Sequence, residues 1–175
     1  MKREWKKNKS SVRRTIVPIL CILATIIGGC MFPVQSGFML TNVDGDMYYF
    51  FPDDSRKITI GWRHSVELTL WKETYHVLPN GDLSLQSTIY ESYGAGTPDI
   101  EGTVEVVSDE VVRVTGIQRV MPSYSLYYVP NSHYYIELNR KTYALSDYVP
   151  AHTAVQIHYK SIVLYEWLWF KVHIT

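Results

Sequence analysis

Two short blocks of the chain carry the side chains with chemical potential. Trp62-Arg-His-Ser-Val-Glu67 sets His64, Ser65 and Glu67 within four positions, and Glu73 follows six residues later, beside Trp71 and Tyr75. Tyr90-Glu-Ser-Tyr-Gly-Ala-Gly96 supplies Glu91, Gly94 and Gly96. An imidazole facing carboxylates can hold a proton, a cation or a polar ligand. A loop with two glycines can turn backbone N–H groups toward an anion, because glycine accepts positive φ and close approach. If these groups converge at the edge of a core they need one another, since an unpaired buried ion costs several kcal/mol. Two readings stay open: a ligand or metal site, and a structural hydrogen-bond network.

Catalytic versions find no support in the spacing. His-x-x-Glu on a strand sends its two side chains to opposite faces. Arg63-His-Ser-Val-Glu67 lacks the flanking glycines of a nucleophile elbow, and no His-Glu-x-x-His helix occurs. Structural zinc sites usually include cysteine. Both cysteines, Cys21 and Cys30, lie near the N-terminus, which leaves open only a catalytic zinc site of two His and one carboxylate. The expectation is therefore no catalytic residue, no metal and no cofactor.

The elements that must position these residues are strands. All fourteen tyrosines follow residue 47, in a stretch where apolar and polar residues alternate between turn signals. Ile58, Ile60, Trp62 and His64 share one face of a strand; Trp71, Glu73, Tyr75 and Val77 share a face of the next. Asn80-Gly81 then predicts a type I′ hairpin turn. Leu83, Leu85, Ser87, Ile89 and Glu91 form one face of a third strand, which would bring His64, Glu73 and Glu91 together. Further hairpins are expected around Ser108-Asp-Glu110 and Asn139-Arg-Lys141. Ala154–Tyr159 and Ile162–Val172 read as a closing strand pair, with Tyr165–Phe170 as a core strand. The fold expected is all-β: an antiparallel sandwich or small barrel of about nine strands.

The N-terminus is of another kind. Residues 1–29 carry seven basic groups and one acid, which leaves ten basic against sixteen acidic groups in the remainder. Such an acidic body excludes a nucleic-acid footprint. Thr15 to Val43 holds no charge. A basic flank before an apolar run is a secretory signal or a membrane anchor, and the positive side stays in the cytoplasm. The organisation expected is a basic cytoplasmic flank (1–14), an anchor or lipoprotein signal (15–34), a linker (35–46) and an exported β domain (47–175) outside the cell membrane. Ile27-Gly-Gly-Cys30 resembles a bacterial lipobox, which makes Cys30 a lipidation candidate.

Together, Trp62-Arg-His-Ser-Val-Glu-Leu-Thr-Leu-Trp-Lys-Glu73 and Tyr90-Glu-Ser-Tyr-Gly-Ala-Gly96 resemble the bacterial domain-of-unknown-function family 1850 over roughly residues 48–172. The family motif is His-Ser-Val-Glu, a further Glu, then Gly-Ala-Gly, so the matching positions are His64, Ser65, Glu67, Glu73, Gly94 and Gly96. Leu70 departs from a proline usual in that turn. The resemblance implies a small exported or membrane-anchored protein without established activity. Family genes often lie beside TRAP transporters of the TAXI type. It thereby implies a non-enzymatic accessory whose partner is a TRAP-type permease or its solute-binding protein. The alternative from the residues alone is an extracytoplasmic binding protein for a small anion or metal; a hydrolase ranks last.

Overall fold

The computed structural model describes residues 2–64, 68–91, 102–108 and 111–173, with side chains from Ile16 onward. The chain forms two compact units, residues 1–35 with 161–175, and residues 36–160.

The first unit contains helix α1 (Lys2–Cys30) and helix α2 (Leu164–His173). The closing segment is thus helical, not the strand expected from its apolar run. Its burial explains the correction. Leu164, Trp167 and Phe170 are at least half-buried at three-residue spacing, while the adjacent Leu168 and Trp169 are both exposed, which a strand's alternation forbids. Glu166 Oε2 accepts the Val163 N–H at 3.0 Å, and Lys171 and His173 occupy the last turn. An acid capping the first turn and bases closing the last one favour the helix at both ends. Short apolar runs cannot be divided into strand and helix by hydrophobicity alone.

Among the described residues eleven strands form two mostly antiparallel sheets. They are β1 (Pro33–Thr41), β2 (Met47–Pro52), β3 (Lys57–Arg63), β4 (Leu70–Val77), β5 (Leu83–Glu91), β6 (Thr103–Ser108), β7 (Val111–Met121), β8 (Tyr124–Tyr128), β9 (Tyr135–Leu138), β10 (Lys141–Ala144) and β11 (Thr153–Val163). The smaller sheet has the order β2-β1-β11-β8 and the larger β10-β9-β3-β4-β5-β7-β6. Neither sheet closes into a barrel, so the architecture is an open two-sheet β fold. One core receives Phe38, Leu40, Val155 and Ile157 from the smaller sheet and Ile58, Ile60, Tyr75 and Leu85 from the larger. Residues 35–46 are not a linker: they supply most of β1, where Phe38 and Leu40 are fully buried. The stretch that read as a connection is a core strand, with Gly37, Phe38, Leu40 and Thr41 buried.

Two local features set which faces the site residues occupy. On β5, Ser87 pairs with Thr74 of β4 but Leu85 already pairs with Tyr75, so Gln86 is an extra residue. Such a bulge reverses strand parity. Leu83 and Leu85 are buried before it, Thr88 and Tyr90 after it. The β4–β5 turn also differs from expectation. Gly81 N–H bonds to Leu78 O at 2.9 Å, and Leu78 N–H bonds to Asp82 O at 2.8 Å. Gly81 has φ +95°, while Asn80 is not among the left-handed residues. This is a three-residue loop, a type I turn followed by a left-handed glycine. Pro79 explains it, because its fixed φ suits the first central position of a type I turn and excludes type I′. The two-residue type I′ loop lies instead at Asn139 and Arg140, both at positive φ between paired Leu138 and Lys141.

Gly81→Val is therefore expected to cost about 1–2 kcal/mol, because a side chain is disfavoured at positive φ. The space is open, with Tyr159 O at 3.6 Å from the new Cβ, so the cost is conformational. Urea denaturation of Gly81→Val beside Asn80→Asp measures it. Equal effects would show that the left-handed glycine does not set the turn.

Candidate functional site

The site grows from one rung across five strands of the larger sheet. Ile136, Ile60, Glu73, Thr88 and Val114 face one another in β9, β3, β4, β5 and β7. Ile136, Ile60, Thr88 and Val114 are each at most 2% exposed. Glu73 is the one carboxylate in this row, and it is only partly buried. The neighbouring rung is aromatic, with Trp62, Trp71 and Tyr90 in register. Trp62 stacks on Trp71 at 5.6 Å and on Tyr134 at 5.6 Å.

Tyr75, two residues along the same face, donates its hydroxyl to Glu73 Oε2 at 2.6 Å. Tyr124, from the smaller sheet, meets the Tyr75 ring edge-on at 5.6 Å. Burial pushes the Glu73 carboxyl above the usual carboxylate range, against the opposing pull of the Tyr75 hydrogen bond and the Arg119 charge. Burial first, then the Glu73 charge, pushes Tyr75 and Tyr124 well above the usual phenol range and raises Tyr134 in the same direction. All three phenols are neutral at physiological pH. Beside Glu73, the buried Trp71 Nε1 and Thr88 Oγ1 have no hydrogen-bond partner among the described residues. A buried polar group left unpaired costs about 1–3 kcal/mol. Chemically, this arrangement is a carboxyl whose protonated form burial favours, next to a rung of aromatic rings.

The residues singled out from sequence are placed as follows. Glu73 stands in the core row that strand parity assigned to it. His64 stacks on Trp71 at 5.7 Å, beyond the end of β3. Glu73 is opposite Ile60, so His64 lies four residues further along, roughly 13 Å at ~3.3 Å per residue. Glu91 is turned to the other face by the Gln86 bulge; it pairs with Val111, and its Oε2 receives the Leu70 N–H at 3.5 Å. The expected meeting of His64, Glu73 and Glu91 does not occur. Ser65, Glu67, Gly94 and Gly96 lie outside the described residues. Cys30 is the last residue of α1. Among the described residues no group of three or more His, Cys, Asp or Glu side chains is placed to hold a metal ion.

Sequence reasoning put Tyr75 on the face of Glu73 but missed its hydroxyl as the partner; the i, i+2 spacing was the available signal. Nothing local could have brought in Tyr124 and Tyr134, which arrive from distant strands and loops.

The family model described as Domain of unknown function (DUF1850) matches residues 58–145, half of the chain. That span holds β3 from Ile58 onward through β10, and so the whole Glu73 rung. No curated protein and no solved structure matches.

Proposed function

The chain belongs to the DUF1850 family, and we propose that it is a non-enzymatic, membrane-anchored accessory domain held outside the cytoplasmic membrane. The observation that carries this reading is the surface of α1. Ile16, Val17, Ile19, Leu20, Ile22, Leu23, Ile26 and Ile27 are each 46–60% exposed, on an uncharged run behind seven basic residues. An exposed apolar helix is favoured in contact with hydrocarbon, and its basic flank keeps to the cytoplasmic side. No helix among the described residues is long and apolar enough to cross a membrane. About 20 residues are needed for a full span, so the anchor is either the short uncleaved helix or, if Cys30 is processed, a lipid that replaces the helix. The working partner proposed is a TAXI-type TRAP permease or its solute-binding protein, supported by the usual gene neighbourhood of the family. The rival reading, an anion or metal site of His64, Glu73 and Glu91, loses support because it needs the three side chains together.

An alkaline phosphatase fusion after residue 60 is expected to be active, and an inactive fusion would reject the orientation. Cys30→Ser is expected to abolish lipid labelling and size processing if the cysteine is modified; an unchanged product assigns anchoring to the uncleaved helix. Where a TRAP system is encoded beside the gene, deleting the gene is expected to lower that system's solute uptake, and normal uptake would reject the accessory role.

A further inference from the structure

A second feature lies away from the Glu73 rung, on the smaller sheet. A cleft of about 440 Å³, within the range of small-molecule sites, opens over β1 and β11 between the 42–46 loop and the 79–82 turn. Thr41, Gln156 and His158 line it from the two strands, Asp44 and Asp82 from the loop and the turn, Lys160 beside them, and Met39, Val43 and Pro122 give it apolar surface.

The cleft is built rather than incidental. Thr41 is only 3% exposed although it is polar, and its Oγ1 bonds to His158 Nε2 at 3.1 Å across neighbouring strands. Burial and Lys160 hold His158 below the usual histidine range, so its ring is neutral at pH 7. Both acidic rims are braced by asparagines. Asn42 Oδ1 accepts the N–H groups of Asp44 and Asp46 at 2.9 and 2.8 Å. Asn80 Oδ1 accepts the Asp82 N–H at 3.2 Å, and its Nδ2 donates to Asp82 Oδ2 at 2.7 Å. The backbone of both rims is fixed in this way, and the Asp82 carboxylate is also held by a side chain, which lowers the ordering cost on binding.

We propose that this cleft binds a small zwitterion, an ammonium and a carboxylate on one molecule with an aliphatic side chain. Asp44 and Asp82 receive the ammonium. Lys160, with the neutral His158 and Gln156, faces the carboxylate. Met39, Val43 and Pro122 cover the side chain. An acidic surface alone would take any cation; a lysine and neutral hydrogen-bonding groups lining the same cleft select for a molecule carrying both charges. This assignment is independent of the accessory reading, since anchoring and uptake can fail while the cleft still binds.

The test is calorimetric titration of the full chain with L-valine, isobutylamine and isovalerate, which share one aliphatic body and differ in their charges. Valine is expected to give saturable heat, while the amine and the acid bind at least about fivefold more weakly. Asp44→Asn and Lys160→Met, both at exposed positions, are each expected to weaken valine about fivefold while leaving the melting temperature within about 2 °C. Equal binding of all three compounds, binding of the amine alone, or no saturation by about 10 mM would overturn the proposal. So would variants that bind valine as the native chain does.

Discussion

Glu73→Ala is expected to destabilise the protein by about 1–3 kcal/mol, because the Tyr75 hydroxyl, on a side chain only 1% exposed, would lose its acceptor. Glu73→Gln is expected to act in the opposite direction at neutral pH. Glutamine keeps an oxygen for Tyr75 and removes a carboxylate that burial disfavours. The pH dependence separates these contributions. The folded carboxyl binds its proton more tightly than the unfolded one, so the folded state holds more protons just above the ordinary Glu range. Its stabilising contribution is complete below that range and is lost as pH rises through the raised folded value. His158, held below its ordinary value, slopes the other way: stability falls as pH drops through the usual histidine range. The difference between native chain and Glu73→Gln cancels His158. That difference, from urea melts at stepped pH, is expected to grow in favour of glutamine from pH 4 to 7. A flat difference would show that the carboxylate is solvated, and a Glu73→Ala loss near zero would show that water replaces it as acceptor.

Gly37→Ala is expected to cost about 3 kcal/mol, at the upper end of ordinary overpacking. A Cβ on Gly37 would stand 2.1 Å from the Phe51 carbonyl oxygen and 2.9 Å from Phe50 Cζ. A flexible side chain could move aside; a carbonyl in a paired strand moves only with its strand. Phe38 pairs with Phe51 and Met39 with Phe50, so a shift of β2 disturbs side chains buried in or against the core. Gly116→Ala is the control. Gly116 has φ +74° and nothing within 4 Å of its added Cβ, so it carries only the conformational cost of ~1 kcal/mol. Thermal or urea unfolding of both variants compares the two costs directly. A smaller loss for Gly37 than for Gly116 would mean that β2 yields without breaking its pairing.

Both results bear on what a single strand can announce. Burial along β3 alternates at Ile58 and Ile60, and β4 buries Trp71, Tyr75 and Val77. Those faces were legible because the two-residue period is a property of each strand alone. Glu91 was misplaced because one extra residue, Gln86, reverses the face of everything after it. Whether a residue is extra depends on the pairing of two neighbouring strands, which no single segment specifies.

The residues by themselves determined the all-β class, the core faces of β3 and β4, the uncharged N-terminal run with its basic flank, and the family to which the chain belongs. These are local or compositional properties. The tertiary structure decided the rest. It made the uncharged segment after α1 a core strand and the final apolar run a helix. It separated His64 and Glu91 from Glu73, and set Tyr124 from the opposite sheet against Tyr75. It also opened the cleft at Thr41 and His158, 117 positions apart in the chain. The physical reason is common to all of these. They depend on which segments share a sheet and which sheet faces which, and those choices are made by burying one common core rather than by any single stretch of sequence.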